Sequence, residues 1–254
     1  MPSRQDVIRY KDELLNLGVL EEKRSWISGV YLLTSSPWKE DAEVICGLDP
    51  FCYLSHQSAM EYHGLTDRLP KVLFITTLPP SEWKDAAFNR MRKDLGDDFH
   101  RYLDQANLPP MKRHSHKPLS KKAINVTTNQ HLTPSLYVSP KDRPVRVSAL
   151  GRTFLDMLRR PDLCGGMNHV IDVFSEHAST YLKLITSEID RHGTSVDKVR
   201  AGFILENYCG IENNDHIQSW VSHAQRGGSR RLDPGEAYWP EFSEKWCLSI
   251  NVSR

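Results

Sequence analysis

A chain of 254 residues with 39% hydrophobic and 26% charged residues can build one large domain or two modest ones, at roughly 100–200 residues each, and its composition is not that of a disordered protein. The formal net charge of +1 excludes a global basic field, so any contact with nucleic acid has to come from a local patch. The longest apolar runs, such as "VLFI" at 72–75, fall far short of the roughly 20 residues that cross a bilayer, and "MPSRQDVIRY" lacks the apolar centre of a signal peptide. A cytoplasmic protein with no membrane partner is the expectation. The five cysteines, at 46, 52, 164, 209 and 247, show no zinc-knuckle spacing and read as free thiols in a reducing compartment.

In chain order, "RQDVIRYKDELLNLG" (4–18) places Val7, Ile8, Leu14, Leu15 and Leu17 in a loosely helical pattern, closed by Gly18 where a left-handed exit is wanted. "VLEEKRSWISGVYLLT" (19–34) reads as a hairpin with a polar, basic tip. A helix, a tight exit and a hairpin form the closing half of a winged helix. "PWKEDAEVICGL" (37–48) predicts a short helix with Pro37 in its first turn and Gly47 at its exit. "FCYLS" (51–55) predicts a strand, and Ser55 caps a helix over 56–63 that Gly64 ends. "KVLFITTLPP" (71–80) predicts a buried strand stopped by its prolines.

Residues 84–122 carry ten Lys or Arg against five Asp or Glu, and "MKRHSHKPLSKK" (111–122) has no acid at all. A helix over 81–104 leading into a basic loop is predicted, followed by strands at 123–128, 134–139 and 144–148. Four helices then fill 151–166, 167–178, 179–193 and 195–210. Leu155, Leu158, Val170, Val173, Phe174, Leu182, Ile185, Ile189, Val199, Phe203 and Ile204 supply their buried faces. "KWCLSINV" (245–252) predicts a last strand.

Catalytic motifs are missing from this list: the chain has no HExxH, P-loop, GxGxxG or GxSxG. "GGSRRLDP" (227–234) opens like the Gly-Ser turn of a nucleotidyltransferase, but Asp233 is followed by Pro234 and Gly235 and no Asp-x-Asp is present to hold metal ions. His56 and His63 stand two helical turns apart, roughly 10 Å, too far to share a metal, and His216 with His223 repeats that spacing. His114 and His116 belong to the basic loop. Arg152 and Asp156 are spaced for an ion pair on a helix surface, with Arg152 capping a neighbouring segment as the alternative, and nothing brings Asp156 to Asp172 as a catalytic pair. No catalytic residue, metal site or cofactor is expected. The nucleic-acid candidates are Arg4, Arg9 and Lys11 on the first helix and Lys23 and Arg24 at the hairpin tip, with Asp6, Asp12, Glu13, Glu21 and Glu22 nearly cancelling their charge. Lys112, Arg113, Lys117, Lys121 and Lys122 form a second set in the basic loop.

The order of these motifs resembles the AbiEi family. "NLGVLEEKRSWISGVYLL" (16–33), "YLSHQSAMEYHGLT" (53–66), "VSALGRTFLDMLRRPDLCGG" (147–166), "VRAGFILE" (199–206) and "GGSRRLDP…KWCLSINV" (227–252) follow the family's passages in sequence, over nearly the whole chain except 84–122. The resemblance implies an antitoxin of a type IV toxin–antitoxin system, associated with phage abortive infection. It implies a winged helix that represses the shared operon by binding operator DNA. It also implies a C-terminal domain that counteracts an AbiEii-like toxin of nucleotidyltransferase fold, with or without direct contact. One departure is plain: about fifteen residues precede Gly18, one helix of ~22 Å, where a full winged helix has two further helices.

The expected fold is α+β: a reduced winged-helix-like segment over 1–36, then a mixed, largely helical antitoxin domain over 37–254 with a basic insertion at about 84–122. The expected function is a non-catalytic antitoxin and autoregulator. The alternatives are a DNA-binding regulator without a toxin, an interaction module that meets its toxin without touching DNA, and an enzyme whose site involves Asp156 or Asp233. The sequence displays no dimer surface and leaves the oligomeric state open.

Overall fold

The computed structural model describes residues 3–22, 29–104, 111–113, 122–130, 136–225 and 230–253. In chain order the first elements are α1 (Arg4–Asn16), β1 (Leu20–Glu22), β2 (Tyr31–Leu33), α2 (Asp41–Leu48), β3 (Tyr53–Leu54) and α3 (His56–Tyr62). Next come β4 (Val72–Thr77), α4 (Pro80–Leu95), α5 (Asp98–Asp104), β5 (Ala123–Thr128), β6 (Tyr137–Val138) and β7 (Val147–Ser148). The rest is α6 (Leu150–Arg159), a 3-10 turn (Pro161–Cys164), α7 (Met167–His192), α8 (Ser195–Asn207), α9 (Asp215–Trp220), β8 (Phe242–Ser243) and β9 (Leu248–Ser249). The chain is α+β, and among the described residues no helix is long and apolar enough to cross a membrane.

These elements assemble two compact units, each from three stretches of chain. The first comprises Met1–Tyr53, Lys71–Thr133 and Ser139–Arg146; the second comprises Leu54–Pro70, Pro134–Val138 and Val147–Arg254. In the first unit β1 and β2 pair antiparallel with Leu20 opposite Leu33, and β4 and β5 pair parallel from Val72–Ala123 to Thr77–Thr128. A parallel pair needs a long crossover, and α4 and α5 lie in that connection. Leu78, Trp83 and Ala87 make a small apolar cluster beneath α4.

Two polar hubs fix the first unit. Asp49, buried, accepts the Trp83 indole N–H at 2.9 Å, the Phe51 amide at 2.9 Å and the Thr77 hydroxyl at 2.7 Å. Arg146 donates to the carbonyls of Cys46, Asp49 and Cys52, each at 2.6 Å, so that one guanidinium gathers a carbonyl from the last turn of α2, that of its cap residue and one from the chain beyond.

The second unit holds the main core, where Met60 and Leu65 join Phe154, Leu158, Phe174, Ile185, Ile204 and Trp246. Leu54 pairs in parallel with Val147, and β6 lies antiparallel to β7. Arg159 ties three helices together: it donates to the His192 carbonyl at the end of α7 and to Asp197, whose carboxylate also accepts the Thr194 amide as the cap of α8.

Several predicted boundaries move. The helix predicted over 37–48 starts at Asp41, because Glu43 reaches back to the Glu40 amide at 3.1 Å, and Gly47 lies inside it. The helix predicted over 81–104 is two helices broken at Gly96, whose φ of +53° leaves the helical region. The helices predicted at 167–178 and 179–193 are one, α7, kinked at Tyr181 (φ −107°, ψ 15°), since Ile185 and Ile189 continue the buried face that Val170, Phe174 and Ala178 begin. The predicted strands at 51–55, 134–139, 144–148 and 245–252 shorten to pairs of residues, and α9 was not predicted.

Candidate nucleic-acid interface

The helix–hairpin starts with a reciprocal cap. Asp6 donates its amide to the Ser3 hydroxyl at 3.2 Å, and its carboxylate accepts the Ser3 hydroxyl at 2.7 Å and the Ser3 amide at 2.9 Å; these last two bonds hold the carboxyl below the usual carboxylate range. At the other end Gly18 has φ +68°, and the Val19 amide returns to the Leu14 carbonyl at 2.9 Å, the six-residue closure that turns a helix out of its axis. The chain enters β1, and Thr34 locks the far end of β2 by donating its hydroxyl to the Gly18 carbonyl at 2.7 Å.

Arg9 lies on the water-facing side of α1, 66% exposed, 3.3 Å from Asp6, and its guanidinium sits 5.0 Å from the Tyr10 ring. Lys11 pairs with Asp12 at 3.0 Å and reaches over the Tyr31 ring of β2 at 5.6 Å; its bond to Asp12 raises its pKa. Exposed pairs of this kind are worth little, so a phosphate can replace either aspartate. The backbone of Arg4 opens α1, its side chain lies outside what is described, and Lys23 and Arg24 fall outside the described residues. Val7, Tyr10, Leu14 and Leu17 run along another side of α1, all exposed.

The second basic set splits. Lys112 is exposed, whereas Arg113 donates to the Leu78 carbonyl at 3.0 Å and helps hold the end of β4. Lys122 is exposed just ahead of β5, and Lys117 and Lys121 lie outside the described residues, as do His114 and His116.

The remaining candidates are structural. Arg152 and Asp156 do pair, at 2.8 Å, but not on a helix surface: their side chains are only 11% and 7% exposed. The spacing predicts the pair, but its burial depends on groups distant in sequence, His56 and Glu188 among those near it. His56 is buried beside this pair with φ +49°, its Nδ1 2.8 Å from the Ser55 hydroxyl, so Ser55 does not cap the helix with its side chain as predicted. Burial pushes the His56 pKa down, against the pull of Asp156. His63 donates Nε2–H to the Ser148 carbonyl at 2.7 Å, and burial lowers its pKa too. Burial raises the Glu188 pKa, and among the described residues Glu188 Oε1 and His192 Nε2 have no hydrogen-bond partner.

His216 contacts Asp190 at 2.6 Å while His223 lies 3.3 Å from the Ser195 hydroxyl, so the two imidazoles have separate partners. Asp233 accepts the Gly235 amide as a turn cap. Asp156 is tied to Arg152, and Asp172 is exposed. Among the described residues no group of three His, Cys, Asp or Glu is placed to hold a metal ion.

Sequence reasoning missed two features. Nothing marked Arg146 as the residue that gathers three carbonyls. Nothing marked the buried Cys46–Cys52 pair, in which the neighbouring Cys52, helped by Arg146, holds the Cys46 thiol below its usual range, while the Cys52 thiol itself donates to the Ile45 carbonyl at 3.6 Å.

No family model matches the chain, and no curated protein matches it. Among solved structures it is similar to the crystal structure of the Rv2827c protein from Mycobacterium tuberculosis, with a TM-score of 0.53 over 96% of this chain and 79% of that one. At 11% identity the likeness is one of fold.

Proposed function

We propose that the chain is a non-catalytic antitoxin of the AbiEi kind that binds operator DNA through α1 and the β1–β2 hairpin and opposes a toxin of nucleotidyltransferase fold. The observation that carries the DNA half is the capped α1 leading through a left-handed Gly18 into an antiparallel hairpin, with Arg9 on the open side of the helix. In this reading α1 enters the major groove, Arg9 and Lys11 exchange their aspartates for phosphates, and the hairpin tip with Lys23 and Arg24 lies on the backbone. The ordered motifs from Asn16 to Val252 support the antitoxin half.

The test is fluorescence anisotropy of the full chain with the DNA upstream of its own gene, against scrambled DNA of equal length, over a range of salt. Selective binding is expected. Arg9→Ala should weaken it and, if Arg9 meets a phosphate, lower the slope of log K against log salt by about 1. A second reading, direct contact with the toxin and no DNA binding, is favoured by the exposed apolar run Val7, Tyr10, Leu14 and Leu17, which a groove-reading helix does not need. Equal or absent binding to both DNAs would select it.

A further inference from the structure

The loop between Arg231, which makes a β-bridge to Ser249, and β8 is held far more firmly than its exposure demands. Asn251, itself buried, accepts the Asp233 amide at 2.9 Å and donates to the carbonyls of Asp233, Glu236 and Ala237 at 2.9, 3.2 and 3.1 Å. The buried Ser249 hydroxyl accepts the Trp239 amide at 2.9 Å and donates to the Trp239 carbonyl at 2.7 Å. Arg231 donates to the Glu236 carbonyl, and the Ile250 amide to that of Glu241. Every residue from Gly235 to Glu241 is nonetheless exposed.

On this fixed backbone stand Tyr238, 50% exposed, and Trp239, 41% exposed. Among the described residues neither ring stacks on another ring or carries a cation, and neither the Glu236 nor the Glu241 carboxylate has an ionic partner. The core of the unit does not use these side chains. The stretch 233–244, "DPGEAYWPEFSE", holds four carboxylates and no Lys or Arg. Of the cations that flank it, Lys245 is paired with Glu206, Arg230 donates to the His223 carbonyl and Arg231 to the Glu236 carbonyl, so the balance of charge on the loop is negative and favours a cationic partner over phosphates.

We propose that the 235–241 loop is a docking surface for a protein that presents arginine or lysine side chains. A guanidinium or ammonium group is the one side-chain chemistry that gains from both halves of the patch: it stacks on an indole or phenol face and pairs with a carboxylate. Tyrosine and tryptophan are also the side chains that most often carry interface energy, and a backbone already fixed by hydrogen bonds loses little entropy when the partner arrives. The surface lies within the second unit and stands apart from the DNA reading of α1.

The experiment uses the full chain and a fluorescein-labelled peptide of alternating arginine and glycine, read by anisotropy at low and physiological salt. The wild-type chain should bind saturably. Tyr238→Ala/Trp239→Ala and Glu236→Gln/Glu241→Gln should each weaken binding by about tenfold or more, with unchanged circular dichroism and melting. Absent binding by the wild type overturns the proposal, as does equal binding by all three proteins. Two rival occupants overturn it as well: a labelled DNA duplex whose binding falls in the same variants, or self-association in sedimentation that Trp239→Ala abolishes. Arg9→Ala, which leaves the loop untouched, should bind the peptide as the wild type does, whatever its effect on DNA.

Discussion

His56 shows how one residue can carry a fold-dependent charge. It is buried at the start of α3 with a left-handed backbone, a conformation that histidine and asparagine adopt more readily than most residues. Its pKa is pushed below 6.5 by burial, as are those of His63 and His169. The unfolded chain therefore takes up protons first as the pH falls, so this contribution to stability is full above about 6.5 and is lost as the pH drops toward the folded values, at up to about 1.4 kcal/mol per pH unit per histidine. Glu188 acts in the opposite sense: its raised pKa contributes stability below about 4.5 that is lost as the pH rises through the folded value. Three imidazoles outweigh one carboxyl between pH 8 and 5.5, so urea midpoints should fall across that range. His56→Asn keeps the backbone and removes one titrating group; its midpoint should fall less. Equal falls would mean that His56 accepts its proton while the protein is folded.

Among the elements, α6 meets α7 closely at Gly151, where an added Cβ would sit 2.5 Å from the Leu184 carbonyl oxygen and 3.1 Å from the Glu188 Cβ. Backbone cannot swing aside as a side chain can, so Gly151→Ala should destabilise the protein by about 1–3 kcal/mol, seen as a lower Tm with retained helical dichroism. An unchanged Tm would show that the two helices slide apart without cost. The sequence made α1, Gly18 and the hairpin legible because caps and left-handed glycines act within a few residues. It made the Arg152–Asp156 pair legible for the same reason. It misplaced the start of α2 because Pro37 looked like a first-turn proline, while the reciprocal bond between Glu40 and Glu43 decides the boundary. It split α7 after Ala178, because only the packed core shows that Ile185 and Ile189 belong to the same buried face. Arg146 and Asn251 were invisible since each acts on carbonyls, which every residue possesses.

At the scale of the molecule, each unit is stitched from three separated stretches, and no single cut releases either one whole. The segment 147–254 contains α6 to β9 but lacks Met60 and Leu65, both fully buried in the same core. Expressed alone, this fragment should keep helical dichroism yet give poorly dispersed amide NMR spectra and bind a hydrophobic dye, because the hole left by α3 cannot close. A sharp, dispersed spectrum would mean that the helices repack without it. The same stitching sets a clock during synthesis. His63 waits for Ser148, 85 residues later, and Thr66 for His169, 103 residues later. At about 5–20 residues per second that is roughly 4–20 s in which Met60 and Leu65 have emerged without their core. Ribosome speed, chaperone supply and the stickiness of one short helix would then decide the yield of folded protein before thermodynamic stability has any say.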